Sequence, residues 1–328
     1  AVTDRGYFCT GGQTAAEGWT RPFELAGCLE DRNQEHCTVY NMMRLAEYLL
    51  RWNGDASCAD YMERNLYNGI LAQQNPLTGM VSYYLPLRPG GRKCWSSPTH
   101  DFWCCLGTMV QAHTIHSTYI YYHFEDGLAL CQYIPSQLEW DCGGSRVKVR
   151  QSYGDPGYNR QQTAKAVSRQ QPHCWVVEVV VQCDKPTKFT LKLRLPWWLK
   201  DLPRISINDK TESVESGTSS FHSIRRNWHY DRIRIELPKG LSACPLPDEA
   251  ETVAFLDGPV VLAGLCDQRP TLYGNKDDTS SILTPENEQQ SGDEVGSYRG
   301  RDLRQDLKFK PLYEVVDERY TIYFPIST

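Results

Sequence analysis

The sequence predicts an α+β chain of more than one domain, helical in its first third and β-rich afterwards. Three observations predict it. Apolar residues recur at helical spacing from about residue 35 to 124, and the spacing changes to simple alternation from about residue 128. The chain has 328 residues, enough for two or three hydrophobic cores. The expected division is a helical region over 1–125, a β-sandwich over 126–247 and a second β-rich region over 248–328.

The helices come first. "EHCTVYNMMRLAEYLLRW" (35–52) places Val39, Met42, Met43, Ala46, Leu49 and Leu50 along one helical stripe, and Asn53-Gly54 should end it. Asp55 can cap a second helix over 56–69, with Cys58, Met62 and Leu66 on one face. So short a connection makes an αα-hairpin. Residues 75–93 read as a Pro- and Gly-punctuated loop with room for a short hairpin. "LGTMVQAHTIHSTYIYYHF" (106–124) reads as a third helix, apolar on most sides and therefore buried.

The strands follow. "LALCQYIPSQLEW", "RVKVRQSY", "CWVVEVVVQC" and "KFTLKLRLP" predict the first, and Phe189, Leu191, Leu193 and Leu195 alternate with Thr190, Lys192 and Arg194 as in a half-buried strand. "RISIND", "RIRIELP", "TVAFLDGPVVLAGL" and "RYTIYFP" continue the pattern, which suits β-sandwiches. Two polar stretches, 151–173 and 275–306, read as long loops.

Composition narrows the function. A net charge of −5 argues against a nucleic-acid footprint, and no apolar run is long enough to span a membrane. The first residues lack a basic start and an apolar core, so they do not read as a signal peptide. The absence of an initial Met suggests a processed chain or a piece of a longer one. The 13 cysteines follow no repeating framework and no Asn-x-Ser/Thr sequon occurs, which fits reduced thiols and a cytoplasmic location.

Phosphate-binding glycine loops and C-x-x-C pairs are missing. What remains is the adjacent pair Cys104-Cys105 in "HDFWCCLGTM", with Glu35 and Cys37 in "QEHC". Both segments begin predicted helices, whose N-termini favour thiolates and carboxylates. Three thiolates and a carboxylate make a sensible tetrahedral zinc set, but buried structural cysteines would look the same in sequence. His113 and His116 are better read as satisfied buried histidines than as a metal pair. Trp197-Trp198 read as framework, and the other ten cysteines as free thiols.

Several ordered motifs carry a resemblance. They are "CTGGQTAAEGW" (9–19), "EHCTVYNMMRLAEYLL", "YMERNLYNGILA", "FWCCLGT", "LALCQYIPSQLEW", "LRLPWW" and "AFLDGPVVLAGL". Together they resemble the zinc-dependent β-L-arabinofuranosidases, cysteine glycosidases of the family 127/146 type. The resemblance implies the C-terminal part of an (α/α)6 barrel followed by β-sandwich domains. It implies Zn2+ held by Glu35, Cys37, Cys104 and Cys105, with Cys104 as nucleophile and Glu17 as general acid/base. Glu63 and Tyr83 fall where the family contacts the sugar. On its own, Glu17 reads as a solvated loop residue, Glu63 as a surface charge and the Tyr83-Tyr84 pair as core or interface aromatics.

Three departures bear on function. Glu17 lies almost at the start, where the family has most of its helical ring already built. That implies a second polypeptide, or a fragment, with the apolar faces of 35–52 and 106–124 as partner surface. The family's Gly-Thr-Gly-x-Glu reads here Gly107, Thr108, Met109, Val110, Gln111, and His36 stands where a small hydroxyl residue is usual. The expected function is a retaining glycosidase on a glycan substrate. The alternatives are lyase, isomerase or cyclase chemistry on the same scaffold, or a non-catalytic subunit with structural zinc.

Overall fold

The computed structural model describes residues 6–154, 174–286, 296–301 and 307–327. Helix α1 spans His36–Asn53 and ends on Gly54, whose left-handed φ of 68° suits glycine. Helix α2 spans Ala56–Asn65, and the Asp55 side chain accepts from the Ser57 N–H as its cap. These two form the expected hairpin. The chain then departs from expectation: Leu66–Ile70 continues as a π-helical turn and Leu71–Gln73 as a 3₁₀ turn. Asn68 explains this, because its side chain donates to Pro259 O and accepts from Val261 N, which draws the turn onto a strand.

Helix α3 spans Cys104–Ile115, and a 3₁₀ turn covers His116–Tyr119. The expected helix therefore starts at the cysteine pair but stops well short of residue 124. Tyr121–Phe124 is a strand paired antiparallel with Gly127–Leu130, as its aromatic run favours. Nor is α3 buried all round: only Cys105, Met109 and Ala112 are, the last two in one core with Val39, Met43 and Met62 of the first two helices.

The first sheet is built on two long strands, Cys174–Leu195 and Ser220–Pro238, paired antiparallel with an irregularity between Trp228 and Tyr230. Two separate strands were expected where Cys174–Leu195 runs continuously. Gly127–Leu130 pairs parallel with one end of that strand and Arg146–Tyr153 antiparallel with the other. Val177, Val179, Val181, Phe189, Leu191 and Leu193 thus share one apolar core. Arg194, expected on the solvent side of the alternation, is fully buried, because α2 covers that side of the strand.

The second sheet runs in the order Leu272–Tyr273, Phe324–Ser327, Glu249–Asp257, Val260–Gly264, Lys308–Pro311, Tyr298–Gly300, Leu283–Pro285, with Leu241–Leu246 also on Glu249–Asp257. Its two faces alternate. Ala254 and Leu256 pack with Phe8, Leu25, Leu85 and Leu87, so this sheet shares a core with the N-terminal segments. Val253 and Phe255 face Leu272, Ile282 and Phe309. The polar stretch 275–306 is not simply a loop, since Leu283–Pro285 and Tyr298–Gly300 pair within it. Residues 287–295 and 302–306 of that stretch, and 155–173 of the other, lie outside the described residues.

Candidate metal and catalytic site

Two helix starts and one hairpin turn converge. Glu35 stands at the N-cap position of α1 without a side-chain cap bond, and Cys37 is the second residue of that helix. Trp103 occupies the same place before α3, so Cys104 and Cys105 are its first two residues. Helix N-termini offer free N–H groups and a positive dipole end, which suits anionic sulfur.

The glycine pair of "CTGGQ" makes the third approach possible. A Cβ on Gly12 would lie 2.4 Å from the Gln34 side chain, and one on Gly11, at φ 96°, 2.5 Å from Asn65. The loop therefore lies flat against the start of α1. Thr14 Oγ1 accepts from the Glu35 N–H at 3.0 Å and fixes the hairpin to the helix cap. Thr14 pairs with Trp19 and Ala15 with Gly18, leaving Ala16 and Glu17 as the two-residue turn. Glu17 is thus presented at a tip rather than left in an unstructured loop.

Donor atoms of Glu35, Cys37, Cys104 and Cys105 all lie within 4.8 Å of one another. The Cys37 and Cys105 sulfurs are 3.5 Å apart. Tetrahedral thiolates at about 2.3 Å from zinc stand somewhat under ~4 Å from each other, so the donor set and spacing fit a metal ion. Cys105 is buried, Glu35 and Cys37 half-buried, and Cys104 exposed at the lip. The hydrogen bond from Cys105, with help from Thr108 and Cys104, lowers the Cys37 thiol to about 6 despite its desolvation. The same contact and burial push Cys105 up.

Tyr83 links this cluster to Glu17. Its hydroxyl donates to Glu17 Oε1 at 2.7 Å and lies 3.6 Å from Cys104 Sγ. Tyr84 donates to the same carboxylate oxygen at 3.3 Å, and Arg32 donates to Tyr84. The Tyr83 bond, then the Tyr84 bond, hold the Glu17 carboxyl below its usual range. An acid at work near neutral pH needs the opposite shift, so the resting structure does not give Glu17 the raised pKa that its expected role calls for.

Glu63 is not brought to this cluster. It is buried beneath the first sheet, with both oxygens on Arg194 (2.5 and 3.2 Å) and one also on Trp198 Nε1 at 2.8 Å. Its sequence neighbour Arg64 suggested a surface charge, and the structure corrects that reading, since Glu63 is buried. His113 and His116 satisfy only one nitrogen each, against each other at 3.1 Å, and stand outside the donor cluster. All thirteen cysteines are free thiols in the structure. Sequence reasoning missed Thr14, Tyr84 and Thr108. Thr108 had a signal: it follows Cys104 by four residues, one helical turn along the same face. Among the described residues, no helix is long and apolar enough to cross a membrane.

Comparison with known proteins agrees with this architecture. Residues 1–118 match the model of the β-L-arabinofuranosidase GH127 catalytic domain, and residues 127–239 that of the GH127 middle domain. Among solved structures, a GH127 β-L-arabinofuranosidase from Geobacillus stearothermophilus T6 superposes with a TM-score of 0.75 at 20% identity. That match covers 99% of this chain and 55% of the other. A GH127 β-arabinofuranosidase gives 0.77 at 18% identity, covering 99% and 55%. A structure described as a glycoside hydrolase gives 0.75 at 16%, covering 100% and 61%. No curated protein matches the chain. At such identities the superpositions speak for the fold, and the chain spans a little over half the length of these relatives. The two family models together run along most of the chain, which belongs to the GH127 β-L-arabinofuranosidase family.

Proposed function

We propose that the chain carries the working site of a retaining glycosidase that cleaves β-L-arabinofuranosides. One observation carries the reading: four metal-type donors cluster within 4.8 Å, and one of them, the exposed Cys104, is tied to a carboxylate through a single tyrosine hydroxyl. Glu35, Cys37, Cys104 and Cys105 would hold zinc, which keeps thiolates deprotonated at neutral pH. The Cys104 sulfur attacks the anomeric carbon, and the bond from that carbon to the leaving oxygen breaks. Glu17 gives the leaving oxygen its proton. A water then returns a proton to Glu17 while its oxygen displaces Cys104, restoring the thiolate and releasing the sugar with retained configuration. The hydroxyl of Tyr83 stands between acid and nucleophile, 2.7 Å from the Glu17 carboxylate and 3.6 Å from the Cys104 sulfur.

Substrate must also change Glu17. We infer that the leaving-group oxygen takes the place of the Tyr83 and Tyr84 hydroxyls beside the carboxyl, which removes the two bonds that hold it ionised.

The same reading includes a covering for α1. Leu45, Tyr48, Leu49 and Trp52 form an exposed stripe at helical spacing, with Trp52 78% exposed. Further helices of an (α/α)6 barrel, in this polypeptide or a second one, would cover that stripe and close the sugar pocket. The test is turnover of aryl β-L-arabinofuranosides by the protein with its native mass recorded, alongside Cys104→Ala. Release of β-L-arabinofuranose by the wild type, lost in the variant with metal and fold retained, supports the proposal. A rearranged or unsaturated product would replace hydrolysis with isomerase or lyase chemistry at the same residues.

A further inference from the structure

His36 is an odd residue to find where it is. It opens α1 between two metal-type donors, Glu35 and Cys37, and its side chain is fully buried. Its Nδ1 lies 2.9 Å from Thr108 Oγ1, while its Nε2 is buried with no hydrogen-bond partner among the described residues. Thr108 Oγ1 in turn lies 3.4 Å from the Cys37 sulfur and is within reach to donate to Cys105 O at 3.2 Å and Cys104 O at 3.5 Å. One hydroxyl therefore stands between an imidazole and a donor sulfur.

A hydroxyl has one proton to give and two lone pairs with which to accept. A neutral imidazole carries one N–H, on either nitrogen. When Cys37 is a metal-bound thiolate it has no proton of its own, and its charge makes it a stronger acceptor than the two neutral carbonyls, so the Thr108 proton turns to the sulfur. If Thr108 donates to the sulfur, it cannot also donate to Nδ1. The 2.9 Å contact then requires Nδ1–H as donor and leaves Nε2 bare. A bare ring nitrogen is the less costly buried orphan, since buried unpartnered N–H groups are the rarer kind.

We propose that His36 is a positioning residue for the donor cluster: its Nδ1–H holds the Thr108 hydroxyl so that the proton points at the Cys37 thiolate. The inference rests on the metal site proposed above and extends it by one layer. It also gives a physical role to a residue where a small hydroxyl would leave the helix start without a ring to reach α3. Partners that hydrogen-bond metal ligands fix their orientation and typically change metal affinity by about 10–100-fold when removed.

The experiment uses the cobalt-loaded protein. Thr108→Val keeps the shape and deletes the hydroxyl. His36→Phe removes the ring donor, and His36→Asn returns a donor near the Nδ1 position. The expected results are about a 10-fold or greater loss of cobalt affinity in Thr108→Val and His36→Phe. Both should show a displaced sulfur-to-cobalt charge-transfer band, and His36→Asn should recover band and affinity. In the diamagnetic cadmium-loaded wild type, ¹⁵N shifts of His36 should report a protonated Nδ1. A wild type that binds cobalt through thiolates but shows a protonated Nε2, or variants with unchanged band and affinity, would overturn this inference alone. A wild type with no thiolate–cobalt band would overturn the metal site itself. Should Thr108→Val fail to fold, the His36→Phe and His36→Asn pair decides the matter by the same two readings.

Discussion

Tyr83 donates its phenolic proton to Glu17 across 2.7 Å, and the same oxygen lies 3.6 Å from the sulfur of Cys104. The residue therefore favours the ionised form of the proposed acid while touching the proposed nucleophile. Hydrogen bonds to a carboxylate favour its charged form, and Tyr83 makes the largest contribution to lowering Glu17.

That relationship has a sign that kinetics can read. A general acid works only when protonated, so kcat/KM should fall as pH rises through the Glu17 pKa. Tyr83→Phe removes the largest lowering interaction, and the falling limb should move to higher pH. Glu17→Gln should reduce turnover of substrates with poor leaving groups by about 10²–10⁴-fold. Both variants are followed by kcat/KM against pH on an aryl β-L-arabinofuranoside. A limb that stays put in Tyr83→Phe would mean that Glu17 is not the acid.

The donor cluster predicts unequal cysteines. Cys37→Ser and Cys105→Ser should each strip the protein of metal, because each sulfur is enclosed by the others and by helix N-termini. Cys104→Ala removes the exposed donor and keeps three, so it should retain metal with weaker affinity while losing turnover. Elemental analysis after dialysis against a mild chelator distinguishes them. Equal metal content in all three variants would place the metal, and so the mechanism, elsewhere.

Glu63 makes the opposite kind of prediction. Arg194 is completely buried, bonds Asp60 and Glu63, and donates to Cys131 O. Burial pushes the Glu63 carboxyl up, against the pull of that guanidinium. Arg194→Met would strand two buried carboxyls, and should cost about 3–5 kcal/mol of stability in a denaturant titration. Glu63→Gln should likewise destabilise the fold, with KM unchanged in whatever fraction is folded. A raised KM at unchanged stability would return Glu63 to the sugar.

These cases also mark what a sequence can disclose. The ends of α1 and the cap of α2 were legible because Asn53-Gly54 and Asp55 act on their own neighbours. The chemistry of Glu35, Cys37, Cys104 and Cys105 was legible as a donor set, but their convergence depends on α1 packing on α3 through Val39, Met43 and Met109. On its own Glu63 looked like a surface charge because its partner lies far along the chain, on a strand whose alternation made Arg194 look solvent-facing. Periodicity reports one covered face; it has no signal for a helix that covers the second. Likewise Asn68-Gly69 reads locally as a helix end, and only the strand at Val261 reveals why the turn continues.

Lys93 supplies a test of the fold away from the site. Its ammonium is buried and donates to Leu312 O at 2.7 Å and Val315 O at 2.8 Å, fastening the segment before α3 to the turn that follows the strand Lys308–Pro311. Burial, and then the nearby Lys310, lower its pKa to about 7. In the unfolded chain a lysine titrates near ~10.4. Below about 7 both states hold the proton, and Lys93 adds no pH dependence. Between there and ~10.4 the unfolded state binds more protons than the folded one, so stability should rise with pH, by at most ~1.4 kcal/mol per unit. Lys93→Met should be less stable overall by about 1–3 kcal/mol, because two buried carbonyls lose their donor. Its stability should nevertheless lack that upward slope. Guanidinium unfolding at several pH values from neutral to alkaline, read as the difference between wild type and variant, isolates this one group from every other titration. Parallel curves would mean that the two carbonyls and the face of Trp95 keep Lys93 charged throughout.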